Sequence, residues 1–248
     1  MKKLSLALVC LALICTSCKV NIADKLNPIK TVTESGNVIE KTFNVGMFDE
    51  IDVHCSLNVR YLPTTGSCSV KVKCCDNIMD KISVTNNDKT LRLKFKDNVN
   101  IRYNTLDITV YAPTLETVWV SGSGMADLSE GLVTDDIKLV VSGSGKIHGM
   151  NIKAHEIEAK LSGSGNIKLA EVATDELEAE IGGSGEIALA GLAKEAKYEI
   201  AGSGNIDATA LIAERGKVNI SGSGNVKCNV ASLSQNIAGS GKVTNFAK

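Results

Sequence analysis

Residues 156–185, EIEAKLSGSGNIKLAEVATDELEAEIGGSG, contain a Gly-Ser-Gly triplet and the same triplet again 20 residues later. The triplet occurs seven times, and its first glycine stands at positions 122, 143, 163, 183, 202, 222 and 239. The steps between copies are 17 to 21 residues. A nearly constant period of about 20 residues is typical of a solenoid, in which each copy stacks on the next.

Apolar and polar residues alternate in the segment before each triplet, which predicts strands with one buried face. One apolar column contains Val141, Leu161, Ile181, Ile200 and Ile220, and the other contains Leu139, Ala159, Ala179, Tyr198 and Val218. The positions between them predict a solvent-facing ladder of Trp119, Val140, Lys160, Glu180, Glu199 and Asn219, beside Lys138, Glu158, Glu178, Lys197 and Lys217. With about 4.8 Å between stacked strands, Lys160 can meet Glu180 and Lys138 can meet Glu158.

Two further apolar columns follow each triplet. The first begins at Ile147 and Ile167, and the second contains Leu132 or Val133, Ile152, Val172, Leu192, Leu211 or Ile212, and Val230. Three columns per copy predict three short strands around a narrow core. An up-and-down barrel would invert the pattern in successive copies, and no inversion occurs. The sequence therefore predicts an all-β parallel β-helix with about 20 residues per coil.

The glycines of the triplet fall between the first and second strands, where each coil must bend and backbones approach closely. We assign this structural role to Gly122, Gly124, Gly143, Gly145, Gly163, Gly165, Gly183, Gly185, Gly202, Gly204, Gly222, Gly224, Gly239 and Gly241. A phosphate-binding loop needs a helix behind it, and strands flank every copy. A calcium-binding nonapeptide repeat needs an aspartate that is missing here.

The first half of the body, residues 34–121, is less regular. Its segment Ile51–Val59 matches a strand and triplet, with Cys55 and Leu57 in the glycine positions. Further strands are predicted at 68–74, 81–85, 90–96 and 106–111, with a helical turn at 76–81. We interpret 34–121 as wider, irregular coils that continue into the regular coils of 122–248. A small separate β-domain is the competing interpretation.

The N-terminus has the features of an export signal. A cationic start and the 11-residue apolar run Leu4–Ile14 precede Cys15-Thr16-Ser17-Cys18, and this apolar run is too short to span a bilayer. The segment resembles a bacterial lipoprotein signal, with cleavage after residue 17 and lipid on Cys18. Cys15 stands where that signal usually has leucine, so ordinary secretion and a retained anchor stay open. Residues 18–33 are interpreted as a tether.

Composition argues against several functions. The chain has 27 basic and 28 acidic residues, so it lacks the basic excess that nucleic-acid binding requires. Beyond Cys18 there are five cysteines, interpreted as small buried hydrophobes, with a Cys55–Cys68 or Cys55–Cys74 disulfide as the alternative. His54, His148 and His155 show no spacing typical of zinc or catalytic sites, so no metal or cofactor is expected. Trp119 is predicted to point outward, where it docks under the N-terminal half or contacts a ligand.

The motifs together resemble the bacterial GIN domain family of autotransporter adhesin heads. The resemblance covers residues 34–248 and rests on Ser35-Gly36-Asn37-Val38, on the strand Phe48–Val53, and on the motif Ser-Gly-Ser-Gly-Asn-Ile, which is present at Ser162–Ile167 and closely matched at Ser221–Val226. It implies a right-handed β-helix on exported, often lipidated proteins of Bacteroidetes-like bacteria. Cys55 and Leu57 depart from the glycines of the family.

These observations predict an exported, lipid-anchored and non-catalytic protein with adhesin-like or scaffold function. Its interaction face would contain Trp119, Lys160, Glu180, Glu199 and Asn219. The partner would be an unidentified protein or glycan of the envelope or host, and the location the outer membrane of a Gram-negative bacterium, with membrane contact only through the lipid. A carbohydrate-active β-helix enzyme is the alternative.

Overall fold

The computed structural model describes residues 30–96 and 99–247, so the predicted signal peptide (1–17) and Cys18 lie outside the described residues. The first ten strands are β1 (Lys30–Thr33), β2 (Val38–Asn44), β3 (Glu50–Cys55), β4 (Asn58–Pro63), β5 (Ser69–Cys75), β6 (Ile82–Asn87), β7 (Thr90–Phe95), β8 (Val99–Arg102), β9 (Leu106–Ala112) and β10 (Thr117–Gly122). The other ten are β11 (Met125–Leu128), β12 (Leu132–Val133), β13 (Asp136–Gly143), β14 (Lys146–Met150), β15 (Ile152–Gly163), β16 (Asn166–Gly183), β17 (Glu186–Gly202), β18 (Asn205–Gly222), β19 (Asn225–Gly239) and β20 (Lys242–Asn245). A helical turn, α1 (Asp76–Met79), follows β5.

The second half is a parallel β-solenoid, as predicted. Strand β10 pairs with β13, and β13, β15, β16, β17, β18 and β19 each pair in parallel with the next. The register places Val120, Val141, Leu161, Ile181, Ile200 and Ile220 in one column, one residue per coil. All six side chains are buried. The alternation read from the sequence therefore gives the correct face of each strand.

The third apolar column differs from the prediction at one coil. Leu132, Ile152, Val172, Leu211 and Val230 are buried, but Leu192 is 59% exposed. The step between the triplets at Gly183 and Gly202 is 19 residues, and the register shifts after Leu169. Gly191 consequently pairs with Val172 and takes the inward position, so Leu192 points outward.

Each triplet forms a tight corner between the first and second strands of its coil. The first glycine of each triplet has a positive φ, between +111° and +140°. The serine that follows donates its backbone N–H to the glycine carbonyl of the preceding coil, as in Ser184 to Gly163 and Ser203 to Gly183, both at 2.9 Å. Because these donors are already used between coils, they are not free to bind an anion.

A second corner, before the third strand, also needs a positive φ. It is occupied by Gly131 (φ +89°), Asn151 (φ +54°) and Glu171 (φ +53°) in three consecutive coils. Glycine and asparagine tolerate this region, whereas a longer side chain is strained there.

We expect Glu171→Asn to raise the free energy of unfolding by about 0.5–1 kcal/mol, because asparagine tolerates the left-handed region better than glutamate. Chemical denaturation followed by circular dichroism would measure the change. Glu186→Asn is the matched control, since other coils carry Asn166 and Asn205 in the same register. An equal change in both variants would show that the backbone conformation of Glu171 is not the cause.

The N-terminal half continues the same sheet, because β3 pairs in parallel with β10 from Glu50 to Cys55. Cys55 lies opposite Gly122 and has φ +65°, so it takes the glycine position that the sequence alignment predicts. The corner tolerates a side chain because the coil on the other side does not turn tightly there. That coil leaves β7 at Phe95, runs out to β8 and returns only at β9.

The order of the N-terminal strands could not be read from the sequence. Strands β7 and β9 pair in parallel with the outer side of β3 and β4, while β10 and β11 pair with the inner side. Beyond β7 and β9, antiparallel pairs with β6 and β5 close this end of the solenoid, and β2 adds to β5. Strand β1 pairs with β8 and uses the last four residues of the predicted tether, so ordered structure reaches into that segment.

The five cysteines of the described residues are all free thiols. Cys68, Cys74, Cys75 and Cys228 are buried, in agreement with their interpretation as small hydrophobes. Cys55 is exposed, and neither predicted disulfide alternative is formed.

Candidate functional site

The most regular surface is the outward side of the strands that precede the triplets, which we call the ladder face. It has two columns of side chains. The first contains Thr117, Lys138, Glu158, Glu178, Lys197 and Lys217, and the second contains Trp119, Val140, Lys160, Glu180, Glu199 and Asn219. The structure thus brings the five predicted interaction residues into a single column, with one residue per coil.

Ion pairs connect the two columns in the first half of the ladder face. Lys138 Nζ lies 2.5 Å from Glu158 Oε2, and Lys160 Nζ lies 2.5 Å from Glu158 Oε1 and 3.4 Å from Glu180 Oε2. Both pairs predicted from the sequence, Lys138–Glu158 and Lys160–Glu180, are therefore confirmed. Exposed pairs of this kind contribute about 0.2–1 kcal/mol each, so they order the side chains more than they stabilise the fold.

A second network continues the ladder. Lys197 Nζ donates to Glu178 Oε1 at 2.8 Å and lies 3.2 Å from Glu199 Oε1. Asn219 Nδ2 donates to the same Glu199 oxygen at 2.8 Å. Lysines thus bridge the carboxylates of the two columns, even where two glutamates lie opposite each other, as Glu158 and Glu178 do.

The local electrostatics favour ionised carboxylates on the ladder face. Partial burial acts to raise the pKa of Glu158, but hydrogen bonds from Lys138 and Lys160 outweigh it and hold that pKa below its usual range. Hydrogen bonds from Asn219 and Lys197 likewise lower the pKa of Glu199. A general acid needs a raised pKa, so Glu158 and Glu199 are suited to binding and not to donating protons.

Trp119 lies in the ladder between Asp52 and Val140 and is 38% exposed. Its outward position was predicted correctly. Strand β10 does pair with β3 of the N-terminal half, but the residue keeps more than a third of its surface open. Trp119 is therefore available to a partner.

A polar cluster next to Trp119 was not predicted. The Asp52 carboxylate is largely buried, and its Oδ2 accepts hydrogen bonds from Arg92 Nε and interacts with His54 Nε2, both at 2.9 Å. Arg92 is brought to Asp52 by the pairing of β3 with β7, 40 residues along the chain. This pairing has no signal in the repeat period, so the sequence could not reveal it.

A serine, a histidine and an aspartate also meet on the outer side of the second strands. Ser129 Oγ lies 3.3 Å from His148 Nδ1 and donates to Asp127 Oδ1, and Asp127 lies 3.8 Å from the same His148 nitrogen. In a hydrolytic triad the histidine stands between serine and aspartate and uses both ring nitrogens. Here Asp127 closes a local turn by accepting from the backbone N–H of Ser129, as Asp207 does with Thr209. The cluster is a turn motif.

Beside the ladder face lies a cleft of about 700 Å³. Its carboxylates are Glu116, Asp135, Asp136, Glu156 and Glu158, and Lys138 is the basic residue in its lining. Within residues 30–96 and 99–247, no group of three or more His, Cys, Asp or Glu side chains is arranged to hold a metal ion. None of the helices in the described part has the length and apolarity needed to cross a membrane.

Comparison with known proteins identified one matching family. Residues 47–248 match the family described as "Putative auto-transporter adhesin, head GIN domain". A comparison with curated proteins found no match.

Several solved structures share the fold. A "putative lipid binding protein" from Parabacteroides distasonis ATCC 8503 is 24% identical, with a TM-score of 0.79 over 88% of this chain and 100% of that chain. A "putative adhesin" from Parabacteroides merdae ATCC 43184 is 22% identical, with a TM-score of 0.77 over 88% and 99%. A further "putative adhesin" from Bacteroides fragilis NCTC 9343 is 25% identical, with a TM-score of 0.66 over 87% and 100%.

Proposed function

Because the chain belongs to this GIN domain family of adhesin heads, we propose that it is an exported, non-catalytic interaction protein that binds its partner through the ladder face. The observation that carries this proposal is the ordered set of paired charges on consecutive coils, with Trp119 exposed at one end. A rigid surface of this kind loses little conformational entropy on binding, because its side chains are already held in place.

The partner that fits the ladder face is an extended protein or glycan that lies along the solenoid axis. Such a ligand meets the same polar positions once per coil, at the strand spacing of about 4.8 Å. Trp119 adds an aromatic surface of the type that is enriched at interaction hot spots. The sum of these weak, repeated contacts provides the binding energy.

We further propose that a lipid on Cys18 anchors the chain to the outer membrane. The supporting features are the apolar run Leu4–Ile14 and the small residue Ser17 before Cys18. The short segment between Cys18 and strand β1 at Lys30 would then connect the lipid to the solenoid.

Binding of the displayed chain to matrix proteins, envelope proteins and a glycan array tests the proposal. The double variant Lys160→Glu/Glu180→Lys reverses the Lys160–Glu180 ion pair. It exchanges the Lys160–Glu158 pair for two neighbouring carboxylates but places the introduced lysine opposite Glu199, so stability should change by less than about 1 kcal/mol. We expect at least a tenfold loss of binding, because charge reversal puts like charges opposite each other at the interface.

Lys168→Glu is the matched control, since Lys168 is exposed on the second strand of its coil, away from the ladder face. The control should bind like the parent chain. Unchanged binding in the ladder variant, or no ligand in any of the three screens, would contradict the proposal.

The alternative function is a carbohydrate-active enzyme, and the acidic cleft beside the ladder face is the observation that favours it. Glycosidases use two carboxylates on opposite sides of the scissile bond. Sugar release from a glycan panel, abolished by Glu156→Gln in the cleft or by Glu178→Gln and Glu180→Gln on the ladder face, would establish this function in place of simple binding.

A further inference from the structure

The last coil of the solenoid has an open edge. Residues 232–239 of β19 pair with β18 on one side, while β20 covers only Asn225–Cys228 on the other. Within the described part of the chain, no strand pairs with the free side of 232–239. Such an edge presents a row of backbone donors and acceptors to any strand that can add to it.

The sequence of this edge lacks the usual protection against pairing. Residues 229–241, NVASLSQNIAGSG, contain no charged residue and no proline. Lys197 and Lys217 occupy one column in the two preceding coils, and the residue of that column in this coil is Ser234. In the column of Glu195 and Arg215, the corresponding residue is Ser232. A strand edge that faces water normally carries charged side chains or proline.

The core is also open at this end. Ile237 continues the buried column of Ile200 and Ile220 but is 39% exposed, and Phe246, which follows β20, is 50% exposed. Another layer of apolar side chains placed on this coil would remove both from water.

We propose that the edge 232–239 pairs antiparallel with the same edge of a second copy of this chain, which forms a closed tail-to-tail dimer. A two-fold axis at Asn236 places Gln235 opposite the partner's Ile237. Opposite residues project to the same side of a sheet, so the inward sides of both edges lie on the same side of the joined sheet. The edge matches itself because it has no charge that would repel its own copy.

A two-fold pairing uses the edge 232–239 of both copies, so the assembly is closed at two copies whatever the opposite end presents. At that opposite end the antiparallel strands β5 and β6 pair with β9 and β7, and β2, which lies outside β5, carries the charged residues Glu40 and Lys41. Such charges on an edge disfavour further pairing. Antiparallel pairing would therefore close both ends of the solenoid. At the N-terminal end the paired strands belong to one chain, and at the edge 232–239 they belong to two copies. A dimer would also present two ladder faces and so increase avidity for a repetitive ligand.

Light scattering on the purified full chain tests the proposal. For the parent we expect twice the mass of one chain. For Ile237→Lys we expect the mass of one chain, because the dimer would bury the lysine without a partner for its charge. Val133→Lys is the control, since Val133 is 72% exposed and distant in sequence from the edge. It should remain a dimer. A single-chain mass for the parent at its highest soluble concentration would overturn the proposal.

Crosslinking distinguishes this dimer from other assemblies and does not depend on the folding of Ile237→Lys. In a background in which Cys10, Cys15, Cys18 and Cys55 are replaced by serine, which removes the exposed thiol of the described residues and the three N-terminal cysteines, Asn236→Cys should give a linked dimer with a short bis-maleimide. Asn219→Cys places the thiol at the same ladder position one coil earlier and should give none. Equal crosslinking of the two variants, or none with Asn236→Cys, would rule out the two-fold pairing.

Discussion

Gly183→Ala should lower the free energy of unfolding by more than about 3 kcal/mol, which is an exceptional loss for the addition of one methyl group. A Cβ atom at Gly183 would lie 2.5 Å from the carbonyl oxygen of Gly163 in the preceding coil, and that atom is backbone and cannot rotate away. The φ of +140° at Gly183 is also unfavourable for a residue with a side chain.

The effect should extend beyond the substituted residue. The carbonyl of Gly163 accepts from Ser184, and that of Gly183 accepts from Ser203, so the corner links three coils. Moving Gly183 away from Gly163 weakens both contacts. Because a solenoid is stabilised mainly by contacts between neighbouring coils, the variant should unfold in two steps that separate at this corner.

Gly182→Ala is the matched control for this prediction. Gly182 is next to Gly183 in the same strand, but no atom of the described chain lies within 4 Å of the place its Cβ would take. Its register partners in the neighbouring coils are Ser162 and Ala201, which already carry a Cβ. Urea unfolding followed by circular dichroism should show a change below about 0.5 kcal/mol in this variant. A similar loss in both variants would refute the backbone contact as the cause.

The same repeat explains which parts of the fold the sequence could predict. A fixed period places each residue on a column, so the buried side, the corners and the pairs Lys138–Glu158 and Lys160–Glu180 follow directly from counting. Where the count changes, the prediction changes too: a step of 19 residues moves Leu192 from the core to the surface.

The parts that could not be predicted depend on contacts without a period. The antiparallel cap joins strands by pairings such as that of β2 with β5, and nothing in their composition states which strand each one meets. For the same reason Arg92 and Asp52 were not recognised as partners. The column positions of the ladder residues were therefore predicted on the regular coils, whereas the Asp52–Arg92 contact at the N-terminal end of the same face was not.

At Tyr198 in the core, the contribution of the hydroxyl group to stability can be measured separately from that of the packed ring. Its column also contains Ala159, Ala179 and Val218, and the small alanines of the earlier coils leave room for its ring in the narrow core. The side chain is fully buried, and its hydroxyl has no hydrogen-bond partner within the described residues. Burial strongly raises the pKa of Tyr198, so the hydroxyl is protonated at neutral pH.

Two substitutions at Tyr198 should therefore change stability in opposite directions. Tyr198→Phe removes a buried group that has lost its hydration without a partner, and should raise the free energy of unfolding by about 1 kcal/mol. Tyr198→Ala empties the same space and should lower it by about 3–5 kcal/mol, because the neighbouring alanines cannot fill the cavity. Urea denaturation of the parent and both variants measures these changes directly. A loss of stability in Tyr198→Phe would show instead that the hydroxyl is hydrogen-bonded in the core, and only the packing part of the argument would then stand.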